Sequence, residues 1–353
     1  MNKRAVMTII DLRSDTVTKP GKDMLAAMMQ AEVGDDVFGE DPTVRMLEEL
    51  ISDKAGMDAA VFLPSGTQSN LVAIMAHCER GDEYLVGQTA HCYLFEGGGA
   101  AVLGSVQPQP LDFELDGSLA LEKVALAIKP IDNHYARTKL LCLENTVDGR
   151  ALPLAYLQQM RLFCQHHGLQ SHLDGARVFN AVVKLQCSLK DISNHFNSMS
   201  ICLSKGLGTP VGSVLAGSSE LINKARRWRK VLGGGMRQAG ILAAAGVYAL
   251  EHHIERLAED HDNALYLANS LAELEEIDVD TAALQTNMLF IHVKHHYKEL
   301  QSYLQEKGII FPKQPNKQGR VRLVTHLDVS RKELTFVVQA IKSFYRNAGS
   351  NFS

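Results

Sequence analysis

The sequence has little of what would commit it to a membrane, a nucleic acid or an oxidising compartment. Its longest apolar runs, such as Gly240 to Ala249, fall far short of the ~20 residues a membrane helix requires. Residues 1–8 include Lys3 and Arg4 but no extended apolar region, so no signal peptide is expected. The net charge of −4, with fourteen histidines counted neutral, argues against a dedicated nucleic-acid binder. Lys224 to Lys230 form a basic run around the single tryptophan, Trp228, which suits a helix face or a phosphate-facing subunit contact better. The six cysteines (Cys78, Cys92, Cys142, Cys164, Cys187, Cys202) include no Cys-x-x-Cys pair, which predicts reduced, mostly buried thiols and a cytoplasmic address. The His-His pairs at 166–167, 252–253 and 295–296 have no partner ligands at zinc spacing; they are expected on solvated helix faces, and no metal is expected. There is no internal repeat, low-complexity tract or coiled-coil heptad.

What remains is an ordinary globular composition. The chain has 353 residues, 46% hydrophobic and 22% charged, enough for a large core and two or three domains. Short β-rich runs alternate with helical ones. Strands are expected at 60–63, 83–86, 139–143, 169–173, 199–203 and 211–216, with helices at 67–79 and 154–167 among them. Such alternation implies an α/β fold with a mostly parallel sheet covered by helices. A long helical pattern follows from Ala239 to about Leu274. Strands at 288–293 and 321–325 then read as a smaller C-terminal α/β unit, with a polar loop from Lys313 to Gly319 between them.

In sheets of this kind ligands gather at the carboxyl ends of the strands. Gly66, Asp174 and Lys205 all fall there. A lysine and an aspartate at neighbouring strand ends are what pyridoxal phosphate chemistry asks for: the lysine forms a Schiff base, and the carboxylate holds the pyridine nitrogen protonated. A strand-end lysine taken alone is more often a solvated loop residue, and the motifs around Lys205 reverse that weighting. Ser65-Gly66-Thr67 opens a helix whose free N–H groups and dipole suit a phosphate, although an N-cap with nothing bound has the same composition. It is neither a Walker loop nor a dinucleotide Gly-x-Gly-x-x-Gly, which leaves a smaller phosphate ester. His91 ends a strand-like stretch before Gly97-Gly98-Gly99 and could stack on a pyridine ring or act as a base. Arg177, three residues after Asp174, could fork onto a substrate carboxylate or simply form a local ion pair.

These motifs together resemble the low-specificity L-threonine aldolases. The likeness is carried by the runs Asp11 to Thr18, Gly34 to Gly39, Phe62 to Gln68, His172 to Arg177, Ser204 to Gly212, Gly233 to Gln238 and Arg322 to Asp328. They occur in order from Ile10 to about Ser330. The resemblance implies a fold-type-I pyridoxal phosphate enzyme, aspartate aminotransferase-like. Its large cofactor-binding domain would span residues 21–250 after an N-terminal arm at 1–20, with a small C-terminal domain at 251–353. It also implies a homotetramer, a dimer of dimers with sites at the dimer interface, acting on a small amino acid. Lys205 would then carry the Schiff base, Asp174 meet the ring nitrogen, His91 stack on the ring and His134 lie near the substrate hydroxyl. Ser14, Arg177 and Arg322 match positions that hold the substrate carboxylate. Gly66 and Thr67 match the phosphate cup, and Lys230 and Arg237 match basic positions near the site. The implied reaction is carbon–carbon cleavage of L-threonine, L-allo-threonine or another β-hydroxy-α-amino acid to glycine and an aldehyde. The rivals are another reaction on the same cofactor, β-elimination or transamination, and a catalytically silent protein that keeps the fold.

Overall fold

The computed structural model describes residues 9–348, so the expectation for residues 1–8 lies outside it. In chain order the first strands are β1 (Ile10–Asp11), β2 (Ala59–Leu63), β3 (Asp82–Gly87), β4 (Gln107–Leu111), β5 (Arg137–Glu144) and β6 (Gln170–Gly175). The rest are β7 (Ser198–Cys202), β8 (Ser213–Gly217), β9 (Ile277–Val279), β10 (Met288–Val293), β11 (Ile309–Ile310) and β12 (Val321–Val324). The chain divides into two compact units, one joining the segment up to Lys19 to everything from Arg256 onward, the other running from Pro20 to Glu255.

The larger unit is built on a seven-stranded sheet in the order β2-β8-β7-β6-β5-β3-β4. Only β8 runs against its neighbours, so the sheet is mostly parallel, as the alternation predicts. The exception has a local cause: β8 follows β7 with no helix between them, and a parallel partner would need a crossover of a dozen residues or so. β4 was not expected. Its sequence, Gln-Pro-Gln-Pro-Leu, carries two prolines that cannot donate to a ladder, and it survives because it is an edge strand pairing only with β3. The helix Gly66–His77 packs on β6 and β7 and starts where the Ser65 hydroxyl accepts the Gln68 N–H at 3.1 Å. The helix Leu154–His167 has the expected limits and stops at Gly168, whose φ of 68° is the left-handed conformation glycine adopts without strain.

The basic run lies on the helix Ser219–Val231, where its charges meet partners inside the same unit. Arg229 is buried, pairing with Asp36 at 2.9 Å and donating to the Phe62 carbonyl at 2.8 Å, and Arg226 pairs with Glu48. His253 departs from the expectation of a solvated face: it is half-buried, and its Nδ1 donates to the Leu207 carbonyl at 2.7 Å.

In the smaller unit β1 lies parallel to β11, and a separate antiparallel sheet has the order β12-β10-β9. Helices Leu257–Ala272, Tyr297–Glu306 and Arg331–Ala348 complete it around a core that includes Leu12, Leu267, Leu289, Leu323 and Ile341. The long helical pattern expected from Ala239 is thus two helices, Gly240–His252 and Leu257–Ala272, one in each unit.

Candidate active site

Three neighbouring parallel strands end together in the larger unit. Register places Glu144, the last residue of β5, beside Asp174 on β6, and Asp174 beside Ser200 on β7. Lys205 follows shortly after β7, in the turn toward β8. Asp174 is buried, 5% exposed, and both its oxygens accept hydrogen bonds: Oδ1 from the Ala176 N–H at 3.0 Å, Oδ2 from the Asn70 amide at 2.8 Å. Such acceptance suits an ionised carboxylate. Gly175 is required by packing, because a Cβ there would stand 2.5 Å from the Ser200 carbonyl oxygen on the next strand.

His91 opens a short helical turn, His91–Leu94, rather than ending the strand. Two glutamates hold it. Glu144 Oε2 accepts its backbone N–H at 3.0 Å, and Glu96 Oε1 meets its ring Nδ1 at 2.8 Å. A carboxylate partner makes Nδ1 the protonated nitrogen of the neutral ring and leaves Nε2 as the basic one. The Glu96 hydrogen bond raises the His91 pKa above the ordinary imidazole value, and the Asp174 charge adds to it. Glu96 also moves up, chiefly through burial, while its hydrogen bonds with His91 and Asn70 oppose that shift. Burial pushes Glu144 up to about 7, with Asp174 reinforcing the shift. The Lys205 ammonium acts on both His91 and Glu144, opposing the upward shift of each, which sets it in the same electrostatic neighbourhood.

The same edge carries a helix start suited to a phosphate. Gly66 begins the helix Gly66–His77, and a Cβ on it would come 3.6 Å from the Ser213 hydroxyl. Ser213 Oγ is buried and takes no hydrogen bond within the chain, an orphan donor close to a helix start whose first two N–H groups, on Gly66 and Thr67, have no partner in the helix. Thr67 is exposed there. Gly234 packs so tightly on Gln68 that a Cβ would collide with its amide at 1.8 Å, which ties the Gly233-Gly234-Gly235 run to this helix. An anionic buried aspartate, a lysine in its field and a helix N-terminus with an unsatisfied hydroxyl make a donor set that fits pyridoxal phosphate.

Arg177, half-buried, caps the helix Val178–Leu185 directly after Asp174. His134 lies elsewhere: its imidazole is exposed on the loop before β5 and bonded to Asp132. β5 runs eight residues from that end to Glu144, so the loop and the carboxyl edge lie at opposite ends of the strand. Arg237 pairs with Asp35 at 2.9 Å, and Lys230 lines a cavity of about 480 Å³ with Asp36, Phe38 and Arg229. In the smaller unit Ser14 caps a 3-10 turn through the Thr16 N–H, and Arg322 on β12 reaches the Arg13 carbonyl at 3.5 Å. His91, Glu96 and Asp174 have ligand-type atoms within 4.8 Å of one another, but those atoms are spent on each other and on Asn70.

Sequence reasoning missed Asn70, Glu96 and Glu144. Glu144 had a usable signal, since it ends a strand as Asp174 does. Asn70 ends the polar run Thr67-Gln68-Ser69 at the helix start and reads there as one more first-turn residue, and nothing local to Glu96 marks it.

The family described as Beta-eliminating lyase matches residues 11–294 of this chain. The chain is similar to the low specificity L-threonine aldolase of Escherichia coli, 55% identical over 337 residues that cover 95% of this chain and 99% of that one. Among solved structures it resembles the Leishmania major threonine aldolase, with a TM-score of 0.81 at 23% identity, covering 95% and 99% of the two chains. It also resembles SPT with PLP, with a TM-score of 0.73 at 16% identity, covering 97% and 88%.

Proposed function

Because the chain belongs to the low-specificity L-threonine aldolases, within the Beta-eliminating lyases, we propose how its own residues carry out that activity. The protein is a pyridoxal phosphate-dependent carbon–carbon lyase of fold type I that cleaves L-threonine or L-allo-threonine to glycine and acetaldehyde. Pyridoxal phosphate supplies, when bound, a ring that accepts the electron pair released from the broken Cα–Cβ bond.

Lys205 Nζ is the amine that would hold the cofactor aldehyde, and Asp174 the carboxylate that would hold the ring nitrogen protonated. Gly66, Thr67 and the Ser213 hydroxyl would receive the phosphate at the helix start. His91, fixed through its backbone by Glu144 and through Nδ1 by Glu96, would lie on the ring and use Nε2 to take the β-hydroxyl proton as the bond breaks. Ser14, Arg177 and Arg322 would hold the substrate carboxylate. That grip sets rotation about the Cα–N bond, and so which bond aligns with the π system. Lys230 and Arg237 join the site on the strength of their motifs alone, and His134 is offered on its motif against a geometry that sets its loop at the other end of β5 within one chain. The cofactor-binding domain would be the unit from Pro20 to Glu255.

A homotetramer and a cytoplasmic address belong to the same reading. Exposed apolar side chains on the larger unit, among them Met29 at 84%, Phe38 at 73% and Val102 at 74%, support subunit contacts. No helix among the described residues is long and apolar enough to cross a membrane.

The observation that carries the site assignment is the convergence of Asp174, Lys205 and His91 at one edge of the sheet. Purified protein with pyridoxal phosphate and L-threonine is assayed for acetaldehyde against 2-ketobutyrate. Acetaldehyde that disappears in Lys205→Ala is the expected result. Ketobutyrate alone would mean that a different bond is broken, and near wild-type turnover in Lys205→Ala would remove that residue from its role.

A further inference from the structure

A chain of buried polar side chains leads away from Asp174 into the interior of the larger unit, and nothing in the reaction uses it. Asn70 Nδ2 donates to Asp174 Oδ2 at 2.8 Å and to Glu96 Oε1 at 2.9 Å. Asn70 Oδ1 meets His172 Nε2 at 3.3 Å, His172 Nδ1 meets the Ser198 hydroxyl at 2.8 Å, and that hydroxyl meets His77 Nε2 at 2.7 Å. His172 and Ser198 are fully buried and Asn70 is 2% exposed. The placement follows from register. His172 and Asp174 share a face of β6, Ser198 sits opposite His172 on β7, and Asn70 and His77, seven residues apart, share a face of the helix above.

Donor counting gives this chain one direction. Two carboxylate-facing contacts require both Asn70 amide hydrogens, so its oxygen is what His172 sees, and His172 Nε2 must carry a proton. Burial lowers His172 to about 3 and His77 to about 4, so both rings are neutral. A neutral His172 protonated at Nε2 has a bare Nδ1, which must receive the Ser198 hydroxyl proton. With its only proton spent, Ser198 accepts from His77 Nε2. Every donor therefore points toward Asp174, and successive bonds polarise one another in that sense. Apolar side chains would fill the seam without the desolvation cost of these groups, so the network calls for a role beyond packing.

We propose that His77, Ser198, His172 and Asn70 form a one-way hydrogen-bond relay that positions Asp174 and strengthens its hold on the protonated pyridine nitrogen, with Asn70 as the positioning residue in contact with it. This rests on the assignment of Asp174 to that nitrogen. The test uses the cofactor dissociation constant, measured by adding pyridoxal phosphate to cofactor-free protein. It also uses the ¹⁵N resonance of ring-labelled pyridoxal phosphate, which reports whether the nitrogen carries a proton.

Asn70→Leu, close in size, should weaken cofactor binding about tenfold or more, the weight of a hydrogen bond to a charged group, and move the resonance toward the unprotonated nitrogen. Ser198→Ala, a small change remote from Asp174, should shift both readouts the same way by less. Asn70→Leu with lower thermal stability but an unmoved resonance and affinity would show a merely structural role and overturn the proposal. A normal Ser198→Ala beside an affected Asn70→Leu would overturn the relay. If Asp174→Asn also leaves the resonance unmoved, the placement of the ring nitrogen itself falls; if Asp174→Asn moves it and Asn70→Leu does not, only the relay falls.

Discussion

Glu144 offers a direct check on the electrostatics of the carboxyl edge. Its carboxyl group sits beside Asp174 by strand register and accepts the His91 N–H, and burial pushes its pKa from the usual 4.5 up to about 7. A folded-state pKa above the unfolded one means that the folded protein holds the extra proton. The stability this contributes is complete below about pH 4.5 and is lost as pH rises through about 7. At about 1.4 kcal/mol per pH unit over the roughly 2.5 units between those values the ceiling is about 3.5 kcal/mol, reduced by any water that reaches the carboxyl. Glu144→Gln keeps an oxygen for the His91 N–H but cannot ionise. Denaturant titrations of cofactor-free protein, at fixed protein concentration to keep binding linkage out, should therefore show the variant gaining on the wild type between pH 5 and pH 8. The expected gain is about 2 kcal/mol. An equal pH dependence in both proteins would show that Glu144 is ionised at ordinary cost and that the reading of this edge is wrong.

Arg322→Ala should raise KM for threonine in steady-state kinetics, and unchanged KM and kcat would remove Arg322 from the substrate carboxylate. Asp41 is 1% exposed and accepts from the backbone N–H groups of Gly34, Thr43, Val44 and Gly240. Asp41→Ala strips a helix cap and leaves buried donors unpaired, so a loss of about 3 kcal/mol is expected by denaturant unfolding, and a loss under about 1 kcal/mol would refute that accounting. Gly175→Ala would set a methyl group 2.5 Å from the Ser200 carbonyl oxygen. Prying β6 from β7 beside Asp174 should destabilise by about 1–3 kcal/mol and weaken cofactor binding, which calorimetry and absorbance titration read separately. Unchanged cofactor affinity in a destabilised variant would uncouple that strand contact from the site.

The sequence by itself determined what depends on local pattern. The helix Leu154–His167 and the strand Met288–Val293 have the limits their periodicity predicts, because an apolar repeat with a glycine stop is read within a dozen residues. Asp174 and Lys205 were legible because they stand where strands end, and their motifs carried the family. β4 was hidden because its prolines are tolerated only at an edge, and which strand becomes an edge is a property of the whole sheet. The company Asp174 keeps was decided by tertiary structure alone. Asn70 lies 104 residues before it and meets it because the helix Gly66–His77 crosses the sheet at one register, while Glu144 arrives by the pairing of β5 with β6. The motif likewise could not show that the His134 imidazole lies on an exposed loop at the far end of β5, since a strand's length and direction settle that. Local propensity fixes which residues end an element; packing and strand register, summed over the whole core, fix which of those ends meet.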